Sequence, residues 1–174
     1  MKPIAIIKIN AMEYQNAVHV LTREEQVHTW RTNVEFKKRL VGILGEIAAA
    51  KYLNGVHGQQ RIIIPMGVNA RTGIAQDAFG DGDILTLSRG GRRNKTVHVY
   101  EVKSTEGRGG RLPALRQDDV DRYVSNGVDY LLLVSVYMEK GKAECRILKQ
   151  ITPATIAEEW RQVTNKHGFE CYAI

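Results

Sequence analysis

The segment VHVYEVKST, from Val97 to Thr105, has the composition of a buried β-strand, yet it carries Glu101 and Lys103 two residues apart. Side chains alternate between the two faces of a strand, so these charges point to the same face and Val102 points to the other. Burying such a pair costs several kcal/mol per ion unless both charges are satisfied. The segment therefore predicts either a structural ion pair or a chemical site in the core of a sheet.

The spacing of the two charges is not specific by itself. The tripeptide EFK, from Glu35 to Lys37, repeats it inside a segment with a helical pattern, where both charges are expected to be solvated. The residues that surround each pair must decide between the alternatives.

Turn signals and apolar periodicity divide the rest of the chain into helices and strands, and the segments 83–88 and 96–105 form a predicted hairpin. This order predicts a single α/β domain with a central mixed β-sheet flanked by helices. Its expected parts are a helical N-terminal region at about 11–54, a core at about 40–138, and C-terminal strands and a helix at 143–174. The predicted helices cover 11–30, 33–53, 113–126 and 152–168, and the predicted strands cover 61–65, 83–88, 96–105, 129–138, 143–151 and 169–174.

Composition gives expectations about the cellular environment of the protein and about the kind of molecule it binds. Two distant cysteines favour a reducing, cytoplasmic environment, and no apolar run is long enough to suggest a membrane span. A formal net charge of +6 suits a polyanionic partner such as DNA. Two glycine-containing basic segments flank the 97–105 strand, and they are either solvated loops or phosphate contacts; their candidate DNA-binding residues are Arg92, Arg93, Lys95, Arg108, Arg111 and Arg116.

A second acidic residue precedes the strand that is expected to pair with the 97–105 strand. In GDGDIL, Asp83 starts the strand and two glycines allow a tight bend before it. An Asp facing Glu101 across a hairpin would be repelled unless a divalent cation lay between them, and hard carboxylate oxygens are the ligands that Mg²⁺ takes. Asp77 and Asp81 are alternative ligands in the same loop.

Asp83, the apolar strand after it, and Glu101-Val102-Lys103 together resemble the D…(D/E)-x-K signature of the PD-(D/E)XK nuclease superfamily, over about residues 40–136. Gly82 stands where the family pattern has a nominal Pro. Three further positions are similar to residues of subfamilies: Glu46 in GILGEIAAAKYL, Gln117 in LRQDDVDRY and Ser104 directly after the Lys.

The resemblance implies a restriction-endonuclease-like core and a Mg²⁺-dependent DNA endonuclease, with Mn²⁺ expected to substitute. Asp83, Glu101 and the Val102 carbonyl would hold the metal, and Glu46 would reach it directly, through water or through a second ion. Lys103 would act on the attacking water or on the charge of the phosphate, leaving 5′-phosphate and 3′-hydroxyl ends. Gln117 would assist catalysis and Ser104 would contact DNA.

Double-stranded DNA and a second copy of the chain are the expected partners, since two active sites are needed to cut two strands. A type II restriction-like or mobile-element nuclease is preferred over an enzyme similar to Holliday-junction resolvases. A noncatalytic DNA-binding protein on the same scaffold and a structural metal site at Asp83 remain as alternatives.

Overall fold

The computed structural model describes residues 2–27, 33–65, 82–88, 96–108 and 112–173. In these ranges the chain forms a mixed α/β structure with four helices and nine strands. The helices are α1 (Ala11–Val27), α2 (Asn33–His57), α3 (Gln117–Ser125) and α4 (Pro153–Glu159). The strands are β1 (Ala5–Ile9), β2 (Arg61–Pro65), β3 (Ile84–Ser88), β4 (Val97–Glu106), β5 (Leu115–Arg116), β6 (Tyr130–Glu139), β7 (Lys142–Ile151), β8 (Arg161–Thr164) and β9 (Glu170–Ala173).

Six strands form the main sheet, in the order β1-β7-β6-β4-β3-β2. The pair β4 and β6 is parallel and every other pair in this sheet is antiparallel, so the sheet is mixed. The strands β5, β9 and β8 form a second, small antiparallel sheet. The predicted central mixed sheet and the predicted β3–β4 hairpin pairing are therefore confirmed.

Each face of the main sheet carries its own hydrophobic cluster. On the face that we call inner, Val102 of β4 and Val134 of β6 pack with residues of α1 and α2. On the opposite, outer face, Leu131 and Leu133 of β6 pack with Tyr123 of α3 and with residues of α4 and β9. Residues 131–134 of β6 are all buried, and they alternate between the two clusters because successive side chains of a strand point to opposite faces.

The N-terminal helix is fixed at its start by a reciprocal cap. Asn10 Oδ1 accepts from the Glu13 backbone N–H, and Glu13 Oε2 accepts from the Asn10 backbone N–H, both at 2.9 Å. Such a capping box satisfies two backbone donors that the first turn would leave open. Lys51 of α2 donates to Glu13 at 2.8 Å and to the Lys8 carbonyl at 3.0 Å, which ties α2 to α1 and β1.

The longest helix, α2, lies very close to β4 at one glycine. A Cβ atom added at Gly45 would lie 1.8 Å from Ser104 Oγ and 2.9 Å from Ser104 Cβ. At Gly42, one turn earlier in the same helix, an added Cβ would have no heavy atom within 4 Å. Gly45 therefore sets the distance between α2 and β4, whereas Gly42 does not.

Three parts of the chain differ from the prediction. Residues 5–9 form the edge strand β1, a strand that was not predicted from the short apolar segment at the N-terminus. The predicted helix at 113–126 begins only at Gln117, after the short strand β5. The predicted helix at 152–168 is wrong beyond Glu159, because Trp160 is extended and buried in the outer cluster and β8 then pairs with β9.

No helix in the described ranges has the length and apolar character that crossing a bilayer requires.

Candidate active site

The candidate site lies where β3 stops pairing with β4. The two strands pair from Leu87↔Val97 to Ile84↔Tyr100, and beyond Tyr100 the ladder partner of β4 is β6 alone. Glu101 and Lys103 are therefore on the part of β4 that has no strand partner on the β3 side among the residues that the structure describes. An open strand edge presents backbone donors and acceptors that need other partners.

Asp83 fills the first position of this open edge. Its backbone N–H donates to the Tyr100 carbonyl at 2.9 Å, and its carboxylate Oδ2 accepts from the Val102 backbone N–H at 2.7 Å. The side chain of Asp83 thus takes the place of a strand partner. Gly82 allows this approach, because a Cβ at that position would lie 2.6 Å from a methyl group of Val99.

Glu101 and Lys103 form a close ion pair on the outer face, with Lys103 Nζ 2.9 Å from Glu101 Oε1. The Glu101 side chain is 11% exposed and the Lys103 side chain is 31% exposed, so water can reach the ammonium more easily than the carboxylate. The buried Tyr123 of α3 donates its hydroxyl to the same Glu101 oxygen at 3.1 Å. Lys103 Nζ also lies 5.1 Å from the centre of the Tyr123 ring, within the range of a cation–π contact.

The charges of two other carboxyl groups, those of Glu101 and Glu46, act on Asp83. Burial raises the pKa of Asp83 well above its ordinary value, and the charges of Glu101 and Glu46 raise it further. The hydrogen bond from Val102 and the charge of Lys103 oppose this rise without cancelling it. Glu46 reaches this environment from the buried side of α2, one residue after Gly45.

The two residues that hold Glu101 have shifted pKa values of their own. Burial alone would lower the pKa of Lys103, but the charge and hydrogen bond of Glu101 and the contact with Tyr123 raise it above its ordinary value. Burial and the charge of Glu101 raise the pKa of Tyr123 to about 12. At neutral pH Lys103 is therefore a cation and Tyr123 is a neutral hydrogen-bond donor.

Carboxylates of this kind suit a hard divalent cation. Within the described ranges, no group of three His, Cys, Asp or Glu side chains is already arranged to hold a metal ion. Asp83 and Glu101 nevertheless supply the oxygen donors that Mg²⁺ prefers, and Mg²⁺ commonly keeps several waters beside one or two carboxylates. A cation would also relieve the repulsion that raises the pKa of Asp83. The donor set fits Mg²⁺ in this respect.

The helical EFK sequence is a useful contrast. Lys37 pairs not with Glu35 but with Glu106 of β4, at 2.6 Å, and both side chains are about half exposed, at 56% and 49%. The spacing that gives Glu101 and Lys103 a buried ion pair on β4 thus gives no pair between Glu35 and Lys37 on α2, whose lysine instead pairs at the surface with another element. Burial and neighbours, not spacing, separate the two.

Two other predicted site residues lie apart from the acidic group. Gln117 is the first residue of α3 and lines a small pocket with Phe169 and Glu170, and among the described residues it makes no hydrogen bond to the acidic group. Ser104 points its hydroxyl into the contact with Gly45, where it is buried. In this position the hydroxyl does not face solvent, which does not match the predicted contact of Ser104 with DNA.

Two of the predicted basic residues, Arg108 and Arg116, lie within the described ranges. Arg108 follows β4, stacks on the Tyr137 ring at 3.8 Å and pairs with Glu139 at 3.4 Å. Arg116 is exposed, pairs with Asp118 and lies 4.2 Å from the centre of the Phe169 ring. The other candidates lie outside the described residues: Arg92, Arg93, Lys95 and Arg111, together with the alternative ligands Asp77 and Asp81.

Tyr123 is the residue of this site that the sequence prediction missed. The available signal was weak: in QDDVDRY, Val120 and Tyr123 are three apart and mark the buried face of α3. That spacing identifies a core tyrosine but not the carboxylate to which its hydroxyl donates.

The sequence matches no protein-family model, and no curated protein is similar enough to count as a relative. The chemistry of the site therefore rests on its own residues and their geometry.

Proposed function

We propose that this chain is a Mg²⁺-dependent DNA endonuclease with a restriction-endonuclease-like core, of the type II restriction or mobile-element kind. The observation that carries the proposal is the position of Asp83 where β3 leaves β4: it is hydrogen-bonded to Val102, and the charges of Glu101, Glu46 and Lys103 act on it. The resemblance of Asp83 and Glu101-Val102-Lys103 to the PD-(D/E)XK signature supports it from the sequence.

A purely structural ion pair explains the site less well. Glu101 already has Lys103 and Tyr123 as partners, so the ion pair does not need a second carboxyl group beside it. Asp83 is such a group, and burial and the charges of Glu101 and Glu46 raise its pKa. Groups with pKa values shifted in this way concentrate at functional sites. A bound cation would account for Asp83 and Glu101 together.

Asp83, Glu101 and the Val102 carbonyl would hold Mg²⁺, with Glu46 close to them. Such an ion supplies Lewis-acid activation of the phosphate and a more acidic bound water. The chain's own contribution is to keep the carboxylates in place: Val102 N–H orients Asp83, and the hydroxyl of Tyr123 orients Glu101.

Lys103 is suited to stabilising negative charge. It is protonated at neutral pH, so of the roles open to it we favour neutralising the charge that builds on the phosphate and orienting the attacking water. Removal of a proton from that water by Lys103 is disfavoured in the metal-free protein for the same reason. The products would be 5′-phosphate and 3′-hydroxyl ends.

The test is plasmid nicking in Mg²⁺ and in EDTA by the wild type, Lys103→Ala and Lys37→Ala. Lys37 is the matched control, because it occupies the same place in a Glu-x-Lys sequence but on the surface of α2. We expect Mg²⁺-dependent nicking by the wild type and by Lys37→Ala, and a loss of about 10²–10³-fold in Lys103→Ala. DNA binding should persist in both variants.

Two outcomes would overturn the proposal. Equal nicking by Lys103→Ala and the wild type would remove the site from the reaction. DNA binding by the wild type without cutting in Mg²⁺ or Mn²⁺ would favour the noncatalytic DNA-binding alternative. If cutting occurs, sequencing the product ends separates a sequence-specific enzyme, with one motif at every end, from a structure-selective one.

A further inference from the structure

We propose that the outer face of the main sheet carries a second contact for the DNA backbone, at the β6–β7 hairpin. This inference rests on the proposed function, because it places a bound duplex relative to the candidate active site. The surface, which we call the hairpin surface, consists of Lys8, Arg108, Tyr137, Lys140, Lys142 and Arg146.

The strand register places the hairpin surface on the same face as Lys103. Lys103 of β4 is opposite Leu133 of β6, and Leu133 belongs to the outer cluster. Tyr137 is four residues further along β6, an even number, so its side chain returns to the outer face. Its partner on β7 is Glu144, and Glu144 is in turn opposite Lys8 of β1.

The separation suits a phosphate backbone. Four strand residues span about 13 Å at about 3.3 Å per residue. This length corresponds to about four base-pair steps along the axis of a DNA duplex, at about 3.4 Å per step. A duplex whose scissile phosphate lay at Lys103 and whose axis ran along β6 would extend over the hairpin surface and place its phosphate backbone there.

The charges there favour an anion. A cavity of about 380 Å³ is lined by four cationic residues (Lys8, Arg108, Lys140 and Lys142) and by two acidic ones, Glu139 and Glu144. The two acids pair with the arginines, Glu139 with Arg108 and Glu144 with Arg146. Within the described ranges, Lys140 and Lys142 form no ion pair, so their ammonium groups can neutralise phosphates.

Arg108 of this surface is oriented by its neighbours. Arg108 stacks on Tyr137 at 3.8 Å, and its carbonyl accepts from Arg146 Nη1 at 2.9 Å. A guanidinium that is already oriented loses less conformational freedom when it binds a phosphate.

The hairpin turn provides an independent observation. Glu139 pairs with Lys142, so only Lys140 and Gly141 form the turn, and both have positive φ values, of 48° and 73°. Two-residue turns of this type favour Asn at the first position, because a side chain such as Lys is strained there. This chain has a lysine at a position where asparagine would fit better, which points to a use for its charge.

The experiment compares Lys140→Asn/Lys142→Gln with Lys37→Gln/Lys38→Gln. The first variant removes two charges from the hairpin surface, and its Asn at position 140 is a residue that this type of turn favours. The control removes two charges from exposed positions of α2, on the inner side of the sheet. The Kd for a fluorescein-labelled duplex is measured by anisotropy in EDTA, so that no cutting occurs, over a series of salt concentrations.

We expect the hairpin variant to bind about tenfold more weakly at about 0.1 M salt and to reduce the slope of log K against log salt by about 1 to 2. The control should change either quantity much less. Equal effects in the two variants, or no DNA binding by the wild type, would overturn the inference. Because binding is measured without metal, weaker binding of the hairpin variant would support the surface even if nicking assays rejected the nuclease.

Discussion

Gly45→Ala tests how closely the fold positions the candidate site. The added Cβ would lie 1.8 Å from Ser104 Oγ and 2.9 Å from Ser104 Cβ. Rotation of the Ser104 side chain can move its oxygen but not its Cβ, so α2 must move away from β4. Overpacking of this kind costs about 1–3 kcal/mol, while Ala in place of Gly in a helix returns about 1 kcal/mol.

We therefore expect the free energy of unfolding of Gly45→Ala to fall by up to about 2 kcal/mol, which lowers the Tm by up to about 8 °C for a chain of this size. Gly42→Ala is the matched control, because it makes the same change in the same helix into open space. It should be stabilised by up to about 1 kcal/mol. Urea denaturation gives the free energies and a thermal melt gives the Tm values.

A double-mutant cycle with Ser104→Ala identifies the contact. The Ser104 hydroxyl is buried without a hydrogen-bond partner among the described residues, so Ser104→Ala alone should not destabilise the protein. Combined with Gly45→Ala it removes the clash with Oγ but keeps the clash with Cβ, so it should recover at most about 1 kcal/mol of the loss. If Gly45→Ala proves as stable as Gly42→Ala, the proposed close contact between α2 and β4 is wrong.

The site itself gives two further predictions. Tyr123→Phe keeps the buried ring but removes the hydroxyl that donates to Glu101. We expect the free energy of unfolding in urea to fall by about 1.5 kcal/mol and nicking to require more Mg²⁺. No change in either quantity would contradict the positioning role of Tyr123. Asp83→Asn keeps an oxygen that can accept from Val102 but removes the charge. Because the pKa of Asp83 is raised on folding, the wild type should lose stability as the pH rises above 3.8 and through the pKa of the folded state. Asp83→Asn should lose less stability over the same pH range, with the Tm of both proteins measured against pH in the absence of metal.

The central part of this arrangement was predictable because it depends on local pattern. Alternation along β4 places Glu101 and Lys103 on one face. The apolar segment directly after Asp83 forms the strand that pairs with β4. These two facts predicted that Asp83 would lie near Glu101. They did not reveal that β3 leaves β4 at Tyr100, which opens the strand edge that Asp83 occupies.

The parts that were missed depend on contacts between distant segments. The role of Tyr123 requires α3 to pack over Glu101, and the close approach at Gly45 requires α2 to cross β4 at Ser104. The end of α4 was missed because a helical pattern continues through Trp160, whereas burial of that ring and pairing of β8 with β9 turn the chain into an extended conformation. Tertiary packing decided each of these positions over local propensity.

The carboxylate of Asp83 completes the edge of β4 as well as belonging to the acidic group. Under the proposed function, a replacement of Asp83 that cannot accept the Val102 hydrogen bond would therefore cost folding stability as well as activity. Related chains that bind DNA without cutting it are then expected to carry Asn here more often than Ala, since asparagine preserves the hydrogen bond without the charge.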